Sequence, residues 1–248
     1  MLFILRYLIL FATLVAAKGC NLADNSTCPS GAHIIVARGS LEPQGSGLMG
    51  AVAQQIRARI SDSDISPLKY PAIYEPYMPS QTEGVRTLAK VVRDYATLCP
   101  KTKMILLGYS QGAHVIADVM CGASSIGFPA TKPLSLNISS KSNPKQSIPS
   151  LPSLFANSWK LVAAVVLMGD PSTTKGQEFH VGSSEGDGVL PRQNPDGCRC
   201  VSGKTISFCD AGDPFCEAGG HDLRTHMRYV SAYGQMAADF AVSMFHLS

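Results

Sequence analysis

The sequence predicts an α/β fold with a mostly parallel sheet of about five strands and helices on both faces. Three continuous apolar runs, at residues 33–37, 104–107 and 161–168, have the composition of strands buried on both faces. Stretches with apolar residues at helical spacing lie between and after these runs. Strands that alternate with helices pair in parallel, because each helix carries the chain back across the sheet.

The elements of the first half follow in order. The strand at residues 33–37 leads to a helix over 48–60, whose apolar residues recur every four positions. Residues 67–79, rich in Pro and Tyr, are expected to hold a short strand and a loop. A helix over 82–98 then precedes the central strand at 104–107.

The second half is less regular. Residues 122–152 are rich in Ser, Pro, Lys and Asn, which predicts a surface insertion, mobile or disordered, without catalytic residues. The strand at 161–168 is followed by a Gly-rich loop and a short last strand at 204–209. An amphipathic helix from Arg228 closes the chain.

The first 17 residues have the pattern of a secretory signal peptide: Arg6, an apolar run over 7–15 and a small-residue cleavage site. That run is shorter than the roughly 20 residues needed to cross a bilayer, so no membrane anchor is expected. The sequence predicts a secreted, extracellular protein whose residues 18–248 form a single domain. Sequons at Asn25 and Asn137 fit export with N-glycosylation.

Composition bears on partners and cofactors. The net charge of +3, without a basic block, gives no reason to expect nucleic acid. An even set of eight cysteines is typical of four disulfides in an exported chain, and their spacings differ from those of structural zinc sites, so neither a metal nor another cofactor is expected. The cysteines are Cys20, Cys28, Cys99, Cys121, Cys198, Cys200, Cys209 and Cys216.

The segment 108–112, Gly-Tyr-Ser-Gln-Gly, is the strongest functional signal. It stands between a predicted strand and a predicted helix, the context of a nucleophile elbow that presents Ser110 at a sharp turn. A serine nucleophile needs a histidine base and an acid that orients the histidine, in the chain order Ser, acid, His. Of the histidines after Ser110, His114 lies one helical turn past the elbow, where a packing or surface role is expected. His221 and His226 remain candidates, because both lie in the predicted loop between the last strand and the closing helix.

The chain resembles the cutinase and acetylxylan esterase family of secreted serine esterases (carbohydrate esterase family five). The cysteines that bracket a Gly-Asp-Pro are the most specific part of the likeness. The matching segments are residues 37–40, 99–100, 108–112, 168–171, 209–216 and 225–226. The resemblance implies a cutinase-like α/β-hydrolase, a single three-layer α-β-α sandwich.

The resemblance also implies roles for residues. Ser110 would be the nucleophile, Asp213 the acid and His226 the base. Ser40 and Gln111 would supply the oxyanion hole. Asp170, in the other Gly-Asp-Pro, is expected to be structural.

Disulfide pairing is likewise implied by the resemblance. Cys28 would pair with Cys99, Cys209 with Cys216, and Cys121 with either Cys198 or Cys200. Cys20 would take the leftover partner.

The substrate prediction depends on the segment between acid and histidine. Because residues 217–225 are largely polar, a wet, charged rim is expected around the serine. Such a rim favours short acetyl esters on a polysaccharide such as xylan over the long-chain polyester of a cutinase. A secreted binding protein that has lost activity on the same scaffold is the alternative from another class. The protein is expected to be a monomer.

Overall fold

The computed structural model describes residues 28–122, 125–134 and 158–248. Within these ranges, six strands form a single parallel sheet in the order β2-β1-β3-β4-β6-β5. The strands are β1 Ala32–Ala37, β2 Asp64–Pro67, β3 Lys103–Tyr109, β4 Val162–Met168, β5 His180–Val181 and β6 Thr205–Phe208.

Helices cover both faces of this sheet, so the predicted three-layer α-β-α architecture is confirmed. The helices are α1 Gly50–Arg59, α2 Tyr77–Leu98, α3 Gln111–Cys121, α4 Leu223–Met227 and α5 Tyr229–Leu247. Helices α2 and α3 pack on one face, and α1 and α5 pack on the other.

The central strands alternate their side chains between two cores. In β3, Met104 and Leu106 face the core under α2 and α3, whereas Ile105 and Leu107 face the core under α1 and α5. All four side chains are fully buried. This two-sided burial explains why the strand reads as an unbroken apolar run, since neither face meets water.

Two elements lie elsewhere than predicted, and the sheet has six strands rather than about five. Strand β2 lies at Asp64–Pro67, before the Tyr-rich stretch, and helix α2 begins at Tyr77 rather than at residue 82. Pro79 does not prevent this start, because the first N–H groups of a helix need no intrahelical acceptor. The sixth strand, β5, has two residues, too few to show a periodic pattern.

The described part of the insertion is not confined to the surface, contrary to the prediction. Ser125 and Leu134 are buried, and Leu134 joins the core under α2 and α3. The ring of Phe128 packs against Tyr77 and His114. Residues 125–134 are thus part of the folded body.

Three disulfides are present: Cys28–Cys99 and Cys209–Cys216, as the resemblance implied, and Cys121–Cys198, one of the two pairings that it left open for Cys121. Cys200 is exposed and forms no bridge with another described cysteine. The predicted signal peptide at 1–17, Cys20, Asn25 and Asn137 lie outside the described residues. Within the described ranges, no helix is both long and apolar enough to span a membrane.

Candidate active site

Ser110 occupies a strained turn at the carboxyl end of the central strand. Strand β3 ends at Tyr109 and helix α3 begins at Gln111, so the serine alone forms the bend. Its φ of 53° and ψ of −119° are rare for a residue with a side chain. A Cβ at Gly112 would lie 2.0 Å from the carbonyl oxygen of Ala37, so only glycine allows α3 to approach β1 here. These features are those of a nucleophile elbow.

His226 is hydrogen-bonded to a buried carboxylate. Its Nδ1 lies 2.8 Å from Oδ2 of Asp213, whose side chain is fully buried. Oδ1 of Asp213 accepts from the backbone N–H groups of Phe215 and Cys216 at 2.8 and 3.2 Å. Burial acts to raise the pKa of Asp213, but the bonds from His226, Phe215 and Tyr229 outweigh it, and the pKa lies below its ordinary value. Because the ionised carboxylate of Asp213 can only accept a hydrogen bond, Nδ1 of His226 carries the proton of this bond. Nε2 is then the ring nitrogen that can accept a proton from another group.

His226 lies in the short helix α4 rather than in the predicted loop. The side chain of Asp222 caps this helix by accepting from the backbone N–H of Arg224 at 3.0 Å. Tyr109 donates its hydroxyl to the backbone oxygen of His226 at 3.0 Å. The residue next to the serine therefore also holds the histidine segment in place.

Two further contacts of this pair were not anticipated from the sequence. A Cβ at Gly169 would lie 2.7 and 2.8 Å from ring atoms Cε1 and Nδ1 of His226, so the imidazole packs directly on this glycine. The hydroxyl of Tyr229 donates to Oδ2 of Asp213 at 2.8 Å and accepts from the backbone N–H of Asp210 at 2.9 Å. Burial raises the pKa of Tyr229, so it keeps its proton and remains a donor.

Glu42 organises the loop that carries Ser40. One carboxylate oxygen of Glu42 accepts from the N–H of Gly39 at 2.6 Å, and the other accepts from the N–H of Leu48 at 2.7 Å. Arg38 donates to the backbone oxygen of Glu42 at 2.8 Å. This carboxylate was also missed from the sequence, where a lone glutamate in a turn carries no distinctive signal.

Gln111 lies at the first position of α3, where the backbone N–H has no intrahelical acceptor. Its side chain is buried and committed elsewhere. Nε2 donates to the oxygen of Ile73 at 2.9 Å, and Oε1 accepts from Ser80 at 2.9 Å. Only the backbone N–H of Gln111 is therefore available to a ligand at the elbow.

Ser110, His226 and Ser40 line one cavity of about 410 Å³. Most of its other lining side chains are apolar, which contradicts the premise of a polar, charged rim. The residues that line it with these three are Leu41, Glu42, Leu48, Tyr74, Tyr77, Tyr109, Pro171, Phe215, Leu223 and Met227.

Residues 217–225 are polar without making the cavity polar. The carboxylate of Glu217 accepts from the backbone N–H of Gly212 and from Ser184. Asp222 caps α4, and from this segment Leu223 lines the cavity. The carboxylates of Glu217 and Asp222 are therefore engaged in hydrogen bonds within the protein. The side chain that this segment contributes to the cavity is the apolar Leu223.

The remaining sequence candidates lie apart from this pair. His114 is fully buried, beside the Tyr77 hydroxyl and the carboxylate of Asp118, which agrees with a packing role. His221 is exposed. Asp170 is buried and accepts from the N–H and hydroxyl of Ser172, which is a turn-stabilising arrangement. Among the described residues, no cluster of three or more His, Cys, Asp or Glu could hold a metal ion.

A family model described as Cutinase matches residues 27–245. The chain belongs to the cutinase family. Among curated relatives, Cutinase 11 of Verticillium dahliae is 30% identical over 238 residues, covering 93% of this chain and 73% of the relative. Acetylxylan esterase 2 of Talaromyces purpureogenus is 28% identical over 232 residues, covering 90% of each chain.

Solved structures give the same result. An acetylxylan esterase structure at 0.90 Å resolution has a TM-score of 0.73 and 28% identity, covering 88% of this chain and 100% of that chain. The catalytic core of acetyl xylan esterase from Trichoderma reesei has a TM-score of 0.72 and 27% identity, with the same coverage. This cutinase-family chain is a carboxylic ester hydrolase.

Proposed function

We propose that the chain hydrolyses carboxylic esters through Ser110, His226 and Asp213, by way of an acyl-enzyme. The observation that carries the proposal is the 2.8 Å bond from the buried Asp213 to His226, which lines the same cavity as the strained Ser110. A serine hydroxyl becomes a nucleophile when an oriented imidazole accepts its proton.

The proposed reaction has two stages, formation of the acyl-enzyme and its hydrolysis. Oγ of Ser110 attacks the carbonyl carbon, and Nε2 of His226 takes the hydroxyl proton. The tetrahedral intermediate expels the alcohol, which receives that proton from His226. Water then attacks the acyl-enzyme with His226 again as base, and the acid leaves while Ser110 regains its proton.

The negative oxygen of each tetrahedral intermediate needs donors that are already in place. The backbone N–H of Gln111, at the start of α3, and that of Ser40 are the proposed donors. Glu42 supports the second one, because its bonds to Gly39 and Leu48 fix the loop around Ser40.

Two kinds of acyl group are candidates. Acetyl esters on a polysaccharide such as xylan are supported by the acetylxylan esterase relatives and by their structures, which this chain covers in full. Esters with a longer apolar acyl chain, as in a cutinase, are supported by the apolar lining of the cavity. The first candidate no longer has the support of a polar rim.

The reaction is tested with p-nitrophenyl acetate and acetylated xylan, using Ser110→Ala as the control. We expect wild-type turnover of the acetate ester and a fall of about 10⁴-fold or more in kcat for the variant. Wild-type turnover no greater than that of the variant would overturn the proposal and favour the inactive binding protein. Acetic acid released from acetylated xylan would support the polysaccharide candidate.

We also infer that the chain is exported and acts outside the cell as a monomeric, single-domain enzyme. The signal-peptide pattern at residues 1–17 supports export. The three disulfides support an oxidising compartment, because such bonds are rare in the cytosol. Secretion of the full chain, and its elution volume in gel filtration, would check these points.

A further inference from the structure

Met227 is an exposed methionine that directly follows the proposed base. It is the last residue of α4, and it lines the cavity that contains Ser110. Three of the methionines that the structure describes are exposed, and the exposed fraction is 54% for Met227, 48% for Met236 and 42% for Met78. A thioether that solvent reaches is a target for peroxides, which convert it to a polar sulfoxide.

The sulfur of Met227 shares a hydrogen-bond donor with the backbone of His226. The hydroxyl oxygen of Tyr109 lies 3.4 Å from Sδ of Met227 and 3.0 Å from the backbone oxygen of His226. Burial raises the pKa of Tyr109, so this hydroxyl keeps its single hydrogen. Because a thioether is a weak acceptor, the hydrogen is directed mainly to the carbonyl of His226.

Tyr109 also contacts other parts of the proposed machinery. Its ring packs on Gly39, where a Cβ would lie 2.7 Å from ring carbon Cδ1, and Gly39 directly precedes Ser40. The centroid of the Tyr109 ring lies 5.1 Å from that of the His226 imidazole. Tyr109 itself directly precedes Ser110. One ring thus contacts the segments that carry the nucleophile, the base and one proposed oxyanion donor.

We propose that Met227 is a modification site at which oxidation by a peroxide slows the ester hydrolase. One oxygen atom of hydrogen peroxide is transferred to Sδ: an S–O bond forms, the O–O bond breaks, and the other oxygen leaves as water with both hydrogens. The sulfur is oxidised by two electrons, and the peroxide is reduced. The proposal rests on the proposed function, because the loss of rate arises at His226.

The effect passes through the hydroxyl of Tyr109. The new oxygen on Sδ is a stronger acceptor than the thioether, and Sδ is already in contact with this hydroxyl. It competes with the backbone oxygen of His226 for the one hydrogen that Tyr109 can donate. Loss of the bond to His226 releases the end of α4 from β3, so the imidazole no longer has a fixed position relative to Ser110. A misplacement of about 1 Å can cost about 10²-fold in rate.

Treatment of wild type, Met227→Leu and Met236→Leu with hydrogen peroxide tests the site. Leucine keeps an apolar side chain of similar volume that peroxide does not oxidise. Met236 is the matched control, because it is exposed to a similar extent and does not line the cavity that contains Ser110. Cys200, which is also exposed, is present in all three proteins, so its oxidation cannot account for a difference between them.

Peptide mass spectrometry follows the addition of one oxygen atom at residue 227. Turnover of p-nitrophenyl acetate is compared with the rate of each protein before treatment. In wild type and Met236→Leu we expect kcat to fall about tenfold or more as Met227 is oxidised, with little change in KM. Met227→Leu should keep most of its own rate over the same time.

Met227→Gln tests the mechanism without peroxide. The side-chain carbonyl of glutamine places an acceptor oxygen on the δ atom, as the sulfoxide does. We therefore expect a lower kcat for Met227→Gln than for Met227→Leu, whereas Met236→Gln and Met236→Leu should have equal rates. In Tyr109→Phe there is no hydroxyl to compete for, so peroxide should remove a smaller fraction of its rate than in wild type.

Complete oxidation of Met227 without loss of rate, or an equal fractional loss in Met227→Leu, would overturn the proposal. Resistance of Met227 to peroxide under conditions that oxidise Met236 would also contradict it, because the sulfur would then be inaccessible. An equal fractional loss in Tyr109→Phe would exclude the step through the shared hydroxyl. Failure of the proposed function is distinguishable from these outcomes, since wild-type turnover would then equal that of Ser110→Ala before any peroxide is added.

Discussion

At the scale of single residues, the proposed base and acid are held by contacts that have no motif of their own. The imidazole of His226 packs on Gly169, and the carboxylate of Asp213 accepts a hydrogen bond from the hydroxyl of Tyr229. Gly169 is the glycine of the first Gly-Asp-Pro, at residues 169–171. This motif therefore contacts His226 through its glycine and not through Asp170. A side chain at residue 169 would occupy the space of the histidine ring.

Gly169→Ala is therefore expected to reduce kcat strongly. The added Cβ would displace the His226 ring, and a misplacement of about 1 Å can cost about 10²-fold in rate. Gly176→Ala is the matched control, because Gly176 also has a positive φ, +85°, but a Cβ there would meet nothing within 4 Å. Both variants should lose thermal stability, whereas the loss of p-nitrophenyl acetate turnover should be confined to Gly169→Ala. Equal activity in the two would exclude the proposed contact with the histidine.

At the scale of elements, Asp213 lies in the loop between β6 and α4, inside a short segment that is closed into a ring by a disulfide. The Cys209–Cys216 bridge closes this ring around Asp213, and two backbone N–H groups inside the ring bind the carboxylate. The Cys28–Cys99 bridge instead ties the start of the described chain to the end of α2, away from the cavity. The two bridges are expected to differ in their effect on activity.

The double variant Cys209→Ser, Cys216→Ser should lose both stability and activity. Removing a bridge over so short a loop costs about 2 to 3 kcal/mol in unfolding free energy. We also expect kcat to fall tenfold or more below that of wild type at a temperature where both proteins are folded, because Asp213 loses its fixed position. Cys28→Ser with Cys99→Ser should lose stability and keep kcat. Unchanged kcat in the first variant would show that the bridge does not position the acid.

At the scale of the whole molecule, buried carboxylates make the stability depend on pH. Hydrogen bonds from their neighbours outweigh the effect of burial and hold the pKa of both Asp213 and Asp210 below 3.8. A lowered pKa in the folded state contributes stability above the unfolded value, and this contribution is lost as the pH falls through the lowered pKa. Tm should therefore fall below about pH 4 as these two groups take up protons.

Tyr229→Phe tests the link between one bond and this acid response. The variant loses a hydrogen bond to an ionised group, worth about 1.5 to 3 kcal/mol at neutral pH. The Tm difference from wild type should narrow below pH 4, because protonated Asp213 gains less from the donor. Tyr74→Phe, on the cavity rim, should follow the wild-type curve. A Tm difference that does not narrow at any pH down to the acid unfolding of the variant would contradict a bond to an ionised Asp213.

Local patterns determined the α/β class, the positions of the apolar strands and the elbow, because strand burial and the Gly-x-Ser-x-Gly turn depend on neighbouring residues. The resemblance, which depends on short motifs, supplied Asp213 and His226, and the structure brings them within hydrogen-bond distance. Boundaries such as the start of α2 were missed, since Pro79 stops a helix only beyond its first turn.

Only the tertiary structure decided the character of the cavity. The polarity of residues 217–225 predicted a wet rim, but their acids bond to backbone groups and Leu223 lines the cavity. Leu41, Tyr74 and Phe215 line it from distant parts of the chain, and no local pattern brings them together. Sequence by itself determined where the three apolar strands lie and where the proposed nucleophile, Ser110, lies. What surrounds that serine depends on which side chains the folded chain places next to one another, and that is a property of packing between segments far apart in sequence.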